Sequence, residues 1–301
     1  MSKVFSKSSK AKKKIMIAQR REIEKLYKDW ADEIGKMADW YAMRDTASSI
    51  ISTRYYRELQ SQLKKTAREV TRETDGIIKK NIYLISDSVI KDNAAWLASF
   101  GFASNKVSGA FSYVPNNVIF RLTEGKVYKS GWNLSNKIWG DNQKTLSDIY
   151  KVMSRGVAQQ KPIYEIAKDL EKYVRPNAML DWNLYMADGV KLYKKKIDYN
   201  AQRLARTLVQ HSYQLSIEEV AKDNPFVEGF IWRSNGSRAC PICQDRDGRV
   251  YKKDEVPLDH PNGMCYIEPY IEKNMVDKLA DWFNASKGTY PEIDKFAENF
   301  M

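Results

Sequence analysis

Residues 23–41 read Ile23-Glu24-Lys25-Leu26-Tyr27-Lys28-Asp29-Trp30-Ala31-Asp32-Glu33-Ile34-Gly35-Lys36-Met37-Ala38-Asp39-Trp40-Tyr41. The apolar members Ile23, Leu26, Tyr27, Trp30, Ile34, Met37, Ala38 and Tyr41 fall at i, i+3, i+4, i+7, i+11, i+14, i+15 and i+18. That spacing gathers them on one face of a helix of 3.6 residues per turn and leaves the charged residues on the other. An aromatic stripe of this kind is a packing surface, so the stretch predicts a long amphipathic helix with at least one helical partner.

The flanking sequence extends the same reading. Ile51, Tyr55, Leu59, Leu63 and Val70 define a second helix, with Arg54, Arg57, Lys64, Lys65, Arg68 and Arg72 among its exposed positions. Asp75-Gly76 is expected to break it, and Ile82, Ile85, Val89, Ala94, Trp96 and Leu97 then support a further helix to Phe100. Ahead of the first helix, residues 1–14 are serine- and lysine-rich without apolar periodicity. They predict a basic mobile tail that orders on an acidic partner, or simply solubilises the chain.

Residues 101–141 carry five glycines and Pro115-Asn116-Asn117 between short apolar runs such as Val118-Ile119-Phe120, which predicts a loop-rich connector with a short strand or two. Helical periodicity resumes at Asn142 and ends near Gly156; Pro162 then opens another helix through Leu170, a residue suited to a first helical turn. The stretch from about 176 to 198 breaks the rhythm as an insertion would. Tyr199 to Asp223 predicts a helix with Leu204, Leu208, His211 and Leu215 at helical spacing, closed by Asn224-Pro225. Val227 to Trp232 reads as a strand, and Glu272 to Ser286 as a terminal helix. The fold class expected is mainly α: long N-terminal helices over 15–100, a helical middle, the connector 101–141, and a region 142–301 that contains a small zinc-stapled α+β module at 228–270.

That module contains every cysteine of the chain. Cys240 and Cys243 are separated by two residues, His260 follows after sixteen and Cys265 after four more, so four soft or borderline ligands lie within 26 residues. The two-residue gap is the spacing of a knuckle turn that aims both thiolates at one ion, and Asp247-Gly248 supplies a turn that can bring the second pair back. Cys240, Cys243, His260 and Cys265 are therefore the expected ligands of one tetrahedral zinc. With four protein ligands the site is expected to be closed and structural, since a catalytic zinc keeps a position for water.

Composition sets the remaining bounds. The chain has 301 residues, is 43% hydrophobic and has 18 tyrosines and 8 tryptophans, enough to bury a core. No apolar run approaches the roughly 18 residues of a membrane helix and the N-terminus lacks a signal peptide's apolar centre, so synthesis and assembly in a cytosol are expected. A formal charge of +12 suits a polyanionic partner by phosphate neutralisation, or a plain solvated basic surface.

Enzymatic readings find little support. A zinc deaminase needs an H-x-E element and a proline before its C-x-x-C, whereas Ala239 precedes Cys240 and no H-x-E occurs. An HNH-type nuclease could use Asp259-His260 but would require further histidines downstream, and none follows. His211, between Leu208 and Leu215, reads as a packing residue. No P-loop, G-x-S-x-G or H-E-x-x-H element is present.

The run Tyr199-Asn200-Ala201-Gln202-Arg203-Leu204-Ala205-Arg206-Thr207, followed by Trp232, Cys240-x2-Cys243, Asp247-Gly248 and Pro257-Leu258-Asp259-His260-Pro261-Asn262 to Cys265, resembles the tailed-bacteriophage minor head proteins, or head morphogenesis proteins, of the Mu F and SPP1 minor-capsid type. The resemblance spans about 142–270. One departure is Gly263, where that family commonly has a cysteine. The resemblance implies a non-enzymatic virion component, present in few copies and associated with the portal inside the capsid, that aids head assembly and the retention or ejection of packaged DNA. The implied partners are the portal protein, capsid components and packaged double-stranded DNA met through the basic tail. The alternative is a free zinc-containing nucleic-acid-binding protein.

Overall fold

The structure is a computed structural model that describes residues 4–44, 53–124, 127, 134–159, 161–174, 197–236, 239–271, 275–285 and 288–300. The expected insertion at 176–198 falls almost entirely outside them. Among the described residues the chain forms α1 (Ser6–Ala42), α2 (Thr53–Ala98), α3 (Ser104–Ala110), α4 (Val114–Glu124), α5 (Leu134–Ala158), α6 (Ile163–Val174) and α7 (Ile197–Ala221). These are followed by β1 (Gly229–Arg233), α8 (Pro241–Arg246), β2 (Val250–Lys252), β3 (Tyr266–Tyr270), α9 (Met275–Asn284) and α10 (Pro291–Glu298). The protein is mainly α with one small antiparallel sheet.

The predicted aromatic stripe is buried as expected: Ile23, Trp30, Ala31, Ile34, Ala38 and Tyr41 are each 2% exposed or less. They face α2, α6 and α7, and Trp30 Nε1 donates to Thr66 Oγ1 at 2.9 Å so that the indole is buried without an orphaned donor.

The N-terminal tail is a correction. From Ser6 the serine/lysine stretch is the first part of α1, because three of its residues find partners distant in sequence. The Ser8 backbone N–H donates to Asp92 Oδ2 at 2.7 Å, Lys12 Nζ donates to Gln210 Oε1 at 2.7 Å, and Phe5 is buried with its carbonyl accepting from Tyr213. Composition alone cannot register such contacts.

Asp75-Gly76 also fails to interrupt α2, which runs for 46 residues. Thr74, Ile78 and Ile82 are buried on either side, Gly76 faces open space, and Lys79 pairs with Asp75 at 2.7 Å. A glycine in a helix costs about 1 kcal/mol, less than the packing of those neighbours returns.

The predicted loop-rich connector is largely helical. Val107, Phe111, Val114, Val118 and Leu122 are buried at spacings of three or four through α3 and α4, and Pro115 sits in the first turn of α4, where its missing N–H is no loss. The Val118-Ile119-Phe120 run lies in a helix and not in a strand.

β1 is the central strand of the sheet, with order β2-β1-β3 and both neighbours antiparallel. Gly229 pairs with Lys252, and a Cβ there would overlap the Tyr251 carbonyl oxygen, so the close approach of β1 to β2 needs glycine. The terminal helix falls at α9, and a further helix, α10, follows Pro291. Phe296 and Phe300 pack against Phe102, and Phe226 against Phe296, returning the C-terminus to the start of α3. A single contiguous cluster of buried side chains extends from Phe5 to Phe300.

Candidate metal centre

β1 delivers the chain to the first cysteine pair. After Arg233 the Ser234 N–H donates to Asp247 Oδ1 at 2.7 Å, and Gly248, at φ +78, closes the turn into β2 by donating to the Trp232 carbonyl at 2.9 Å. Between them, Cys240 occupies the N-cap position of α8 and Pro241 its first turn. Gln244 secures this turn, its backbone N–H donating to Cys240 O at 2.9 Å and its side chain to Ala239 O at 2.8 Å. Cys243 therefore follows Cys240 by one helical turn; it is fully buried and Cys240 half-buried.

The second pair arrives on the 256–265 segment. His260 Nε2 lies 3.3 Å from Cys240 Sγ, while Nδ1 lies 3.0 Å from the Pro261 carbonyl. A carbonyl only accepts, so Nδ1 donates; in the neutral ring this leaves the Nε2 lone pair facing Cys240, the tautomer that metal ligation requires. Cys240, Cys243 and His260 each offer a ligand atom, and all three atoms lie within 4.8 Å of one another. A second such group, Cys243, Asp259 and Cys265, shares Cys243 with the first and is buried throughout. The cluster can hold a metal ion.

Asp259 organises the segment between the two groups. Its Oδ1 accepts from the His260 N–H at 2.9 Å and its Oδ2 from the Cys265 N–H at 3.0 Å, so one carboxylate fixes both ligand-bearing backbones. Asn262 adopts a left-handed φ of 65, which asparagine tolerates, and Gly263 donates to the His260 carbonyl at 2.8 Å. A Cβ on Gly263 would overlap the Asp259 carboxylate. A cysteine at 263 is thus incompatible with Asp259 in this position.

Burial pushes the thiols of Cys243 and Cys265 above the ordinary cysteine value, and also raises the Asp259 carboxyl, against the opposing influence of His260. Three acidic groups in one dry pocket disfavour their own ionisation. A divalent cation reverses that preference by binding the thiolates.

The segment is held from beneath by α7. Thr207, Gln210, His211 and Gln214, at i, i+3, i+4 and i+7, present side chains to its backbone. Asn262 N–H donates to Thr207 Oγ1 at 3.1 Å, and Gln210 Nε2 donates to the Cys265 carbonyl. His211 Nε2 donates to the Asp259 carbonyl at 2.8 Å; Gln214 donates to Pro257 O at 2.8 Å and accepts from the Asp259 N–H at 3.2 Å. A loop buried against a helix needs such partners for its peptide groups. Gln210 also accepts from Lys12, whose ammonium lies 4.3 Å from the Tyr213 ring centre, so α1, α7 and the 256–265 segment meet at one glutamine.

The structure thus places Cys240, Cys243 and His260 in one group and joins Cys265 to it through Cys243. His211 is buried, as expected of a packing residue, but it also bonds the segment. Asp259 is legible in the sequence only as the neighbour of His260, and the polar stripe of α7 is not legible there, because the Leu204, Leu208 and Leu215 spacing assigns polar positions to solvent. Beside the centre a cleft of about 1150 Å3 opens between α4, α7 and residues 253–261. On its wall Arg121 lies 3.3 Å from Glu219 and 3.8 Å from Glu218, a carboxyl that burial raises to about 7 against the pull of Gln214 and Arg121. No helix among the described residues is long and apolar enough to cross a membrane.

No protein-family model, curated protein or solved structure matches this chain.

Proposed function

We propose that the chain is a non-enzymatic minor head protein of a tailed bacteriophage, associated with the portal inside the capsid, where it aids head assembly and the retention or ejection of packaged DNA. In this reading Cys240, Cys243, His260 and Cys265 hold one structural zinc ion. One observation carries the reading: the two sequence motifs behind it, the Arg203-x-x-Arg206-Thr207 helix and the Cys/His segment, meet through Thr207 Oγ1 and the Asn262 N–H at 3.1 Å. Their contact in one structural unit supports reading them together.

Zinc supplies a cross-link where the three-stranded sheet is too small to build a core of its own. The chain's residues do the rest. α8 and the 256–265 segment present the ligands, Asp259 fixes their backbones, and α7 carries the assembly to the long helices, which are the surfaces available for portal or shell. Co-sedimentation of the protein with purified phage particles tests the proposal. Recovery in DNA-filled heads at low copy number is the expected outcome; a protein that is found only free in the lysate overturns it and favours a free zinc-containing nucleic-acid-binding protein.

A further inference from the structure

α1 has a second face whose composition its own packing does not explain. Lys7, Lys10, Lys14, Arg21, Lys25 and Lys28 are all exposed and, at 100° per residue, fall within a wedge of about 60° on the side opposite the buried stripe. Their Cα atoms span about 32 Å of helix at 1.5 Å per residue. Ile17, 54% exposed, lies just beside this wedge.

Locally this arrangement is unfavourable. Lys10/Lys14 and Arg21/Lys25 are like charges at i, i+4, and Lys7/Lys10 and Lys25/Lys28 at i, i+3, each pair costing about 0.2–0.5 kcal/mol. The first turn contains no acidic residue, so the cations near the helix N-terminus also oppose its dipole. None of the six forms an ion pair among the described residues, and Glu22, on the flank of the stripe, pairs with Lys80 at 3.1 Å. A solvated helix face ordinarily mixes signs. From Lys7 to Lys28 the row has one sign, and Asp32, the next residue on the same line, ends it. Anchored by the Ser8, Lys12 and Phe5 contacts on the opposite side, this rigid row is complementary to an extended anion.

We infer that this face of α1 is a docking surface for the phosphate backbone of duplex DNA. The length and single sign of the row match a continuous line of phosphates, which a compact anion does not provide. Single-strand binders add aromatic side chains for base stacking, and the row contains none. A membrane-surface helix needs a free apolar face, whereas the apolar face of α1 is buried in the core. The inference deepens the proposed role with packaged DNA but rests on the α1 surface alone, so a chain that binds DNA and never enters particles would retain it, and an encapsidated chain without DNA affinity would refute it alone.

The test is binding of the full-length protein to a mixed-sequence DNA duplex across a salt series. In a variant with Lys7, Lys10, Lys14, Arg21, Lys25 and Lys28 all changed to glutamine, the slope of log K against log salt falls in magnitude by up to about 5, near 0.9 for each phosphate no longer neutralised. Replacing the five lysines by arginine preserves the slope. The glutamine variant melts no lower than the wild type, since it loses repulsive pairs. A control carrying Lys64→Gln, Lys65→Gln, Arg68→Gln and Arg72→Gln on α2 changes the slope less. An unchanged slope in the six-residue variant, an equal loss in the control, no duplex binding by the wild type, or tighter binding to anionic vesicles than to the duplex would overturn the inference.

Discussion

Gly263 lies against the carboxylate of Asp259 so closely that any Cβ at 263 would overlap it, and that carboxylate accepts the backbone N–H groups of His260 and Cys265 at 2.9 and 3.0 Å. The position of two metal-ligand-type residues therefore depends on the absence of a side chain at a third. Gly263 is not in a left-handed conformation, so the requirement is steric. Gly263→Ala is expected to destabilise the protein by about 1–3 kcal/mol, the usual cost of forcing an atom into a packed site. Denaturant unfolding of the two proteins checks this, and equal midpoints would refute the steric account.

The cysteines should not be equivalent in metal binding. Cys243 belongs to both ligand-type groups, so Cys243→Ser is expected to abolish zinc retention, as is the Cys240→Ser/Cys243→Ser pair. Asp259→Asn, which alters an orienting carboxylate, should weaken zinc by about 10–100-fold. Cys265→Ser, which removes a proposed ligand, should cost more than that. Elemental analysis and competition with a chelator give the order; a larger loss in Asp259→Asn than in Cys265→Ser would make Asp259 the fourth ligand.

Gln214 satisfies two peptide groups of the 256–265 segment, Pro257 O and Asp259 N–H. Gln214→Leu leaves both buried and unpaired, for an expected loss of about 1–3 kcal/mol. Arg203→Gln on the exposed side of the same helix should stay within about 0.5 kcal/mol. Thermal unfolding of both variants decides whether the stripe fastens the segment or merely lies beneath it.

Lys12 predicts a pH dependence. Burial lowers its pKa from 10.5 to about 7, with the nearby Asp259 charge opposing the shift. The folded-state value lies below the unfolded one, so the unfolded chain binds more protons between about 7 and 10.5 and stability rises with pH there. The cost of the buried ammonium is fully present below about 7 and gone by about 10.5. In Lys12→Met that contribution is absent, so the stability of wild type relative to the variant should increase across this window. Urea titrations of the two proteins measure the difference, and parallel pH profiles would place the Lys12 ammonium in water.

Periodicity determined a great deal about this protein by itself. The 23–41 stripe, the helix after Pro162, most of α7 and the strand before the cysteines follow from local spacing, because an amphipathic element advertises its buried face in its own residues. The cysteine and histidine spacing marked the metal-type cluster for a similar reason: a two-residue gap fixes the relative aim of two thiols before anything else folds. What only the tertiary structure decided are contacts between residues remote in sequence. The serine/lysine start is helical because Ser8 meets Asp92 and Lys12 meets Gln210, 84 and 198 residues away. α2 continues through Asp75-Gly76 because Thr74, Ile78 and Ile82 around it are buried. The polar face of α7 is buried because the 256–265 segment lies across it and needs its hydrogen bonds. Hydropathy assigns charged and amide side chains to solvent; only a folded partner, by satisfying each donor and acceptor, can bring them inside.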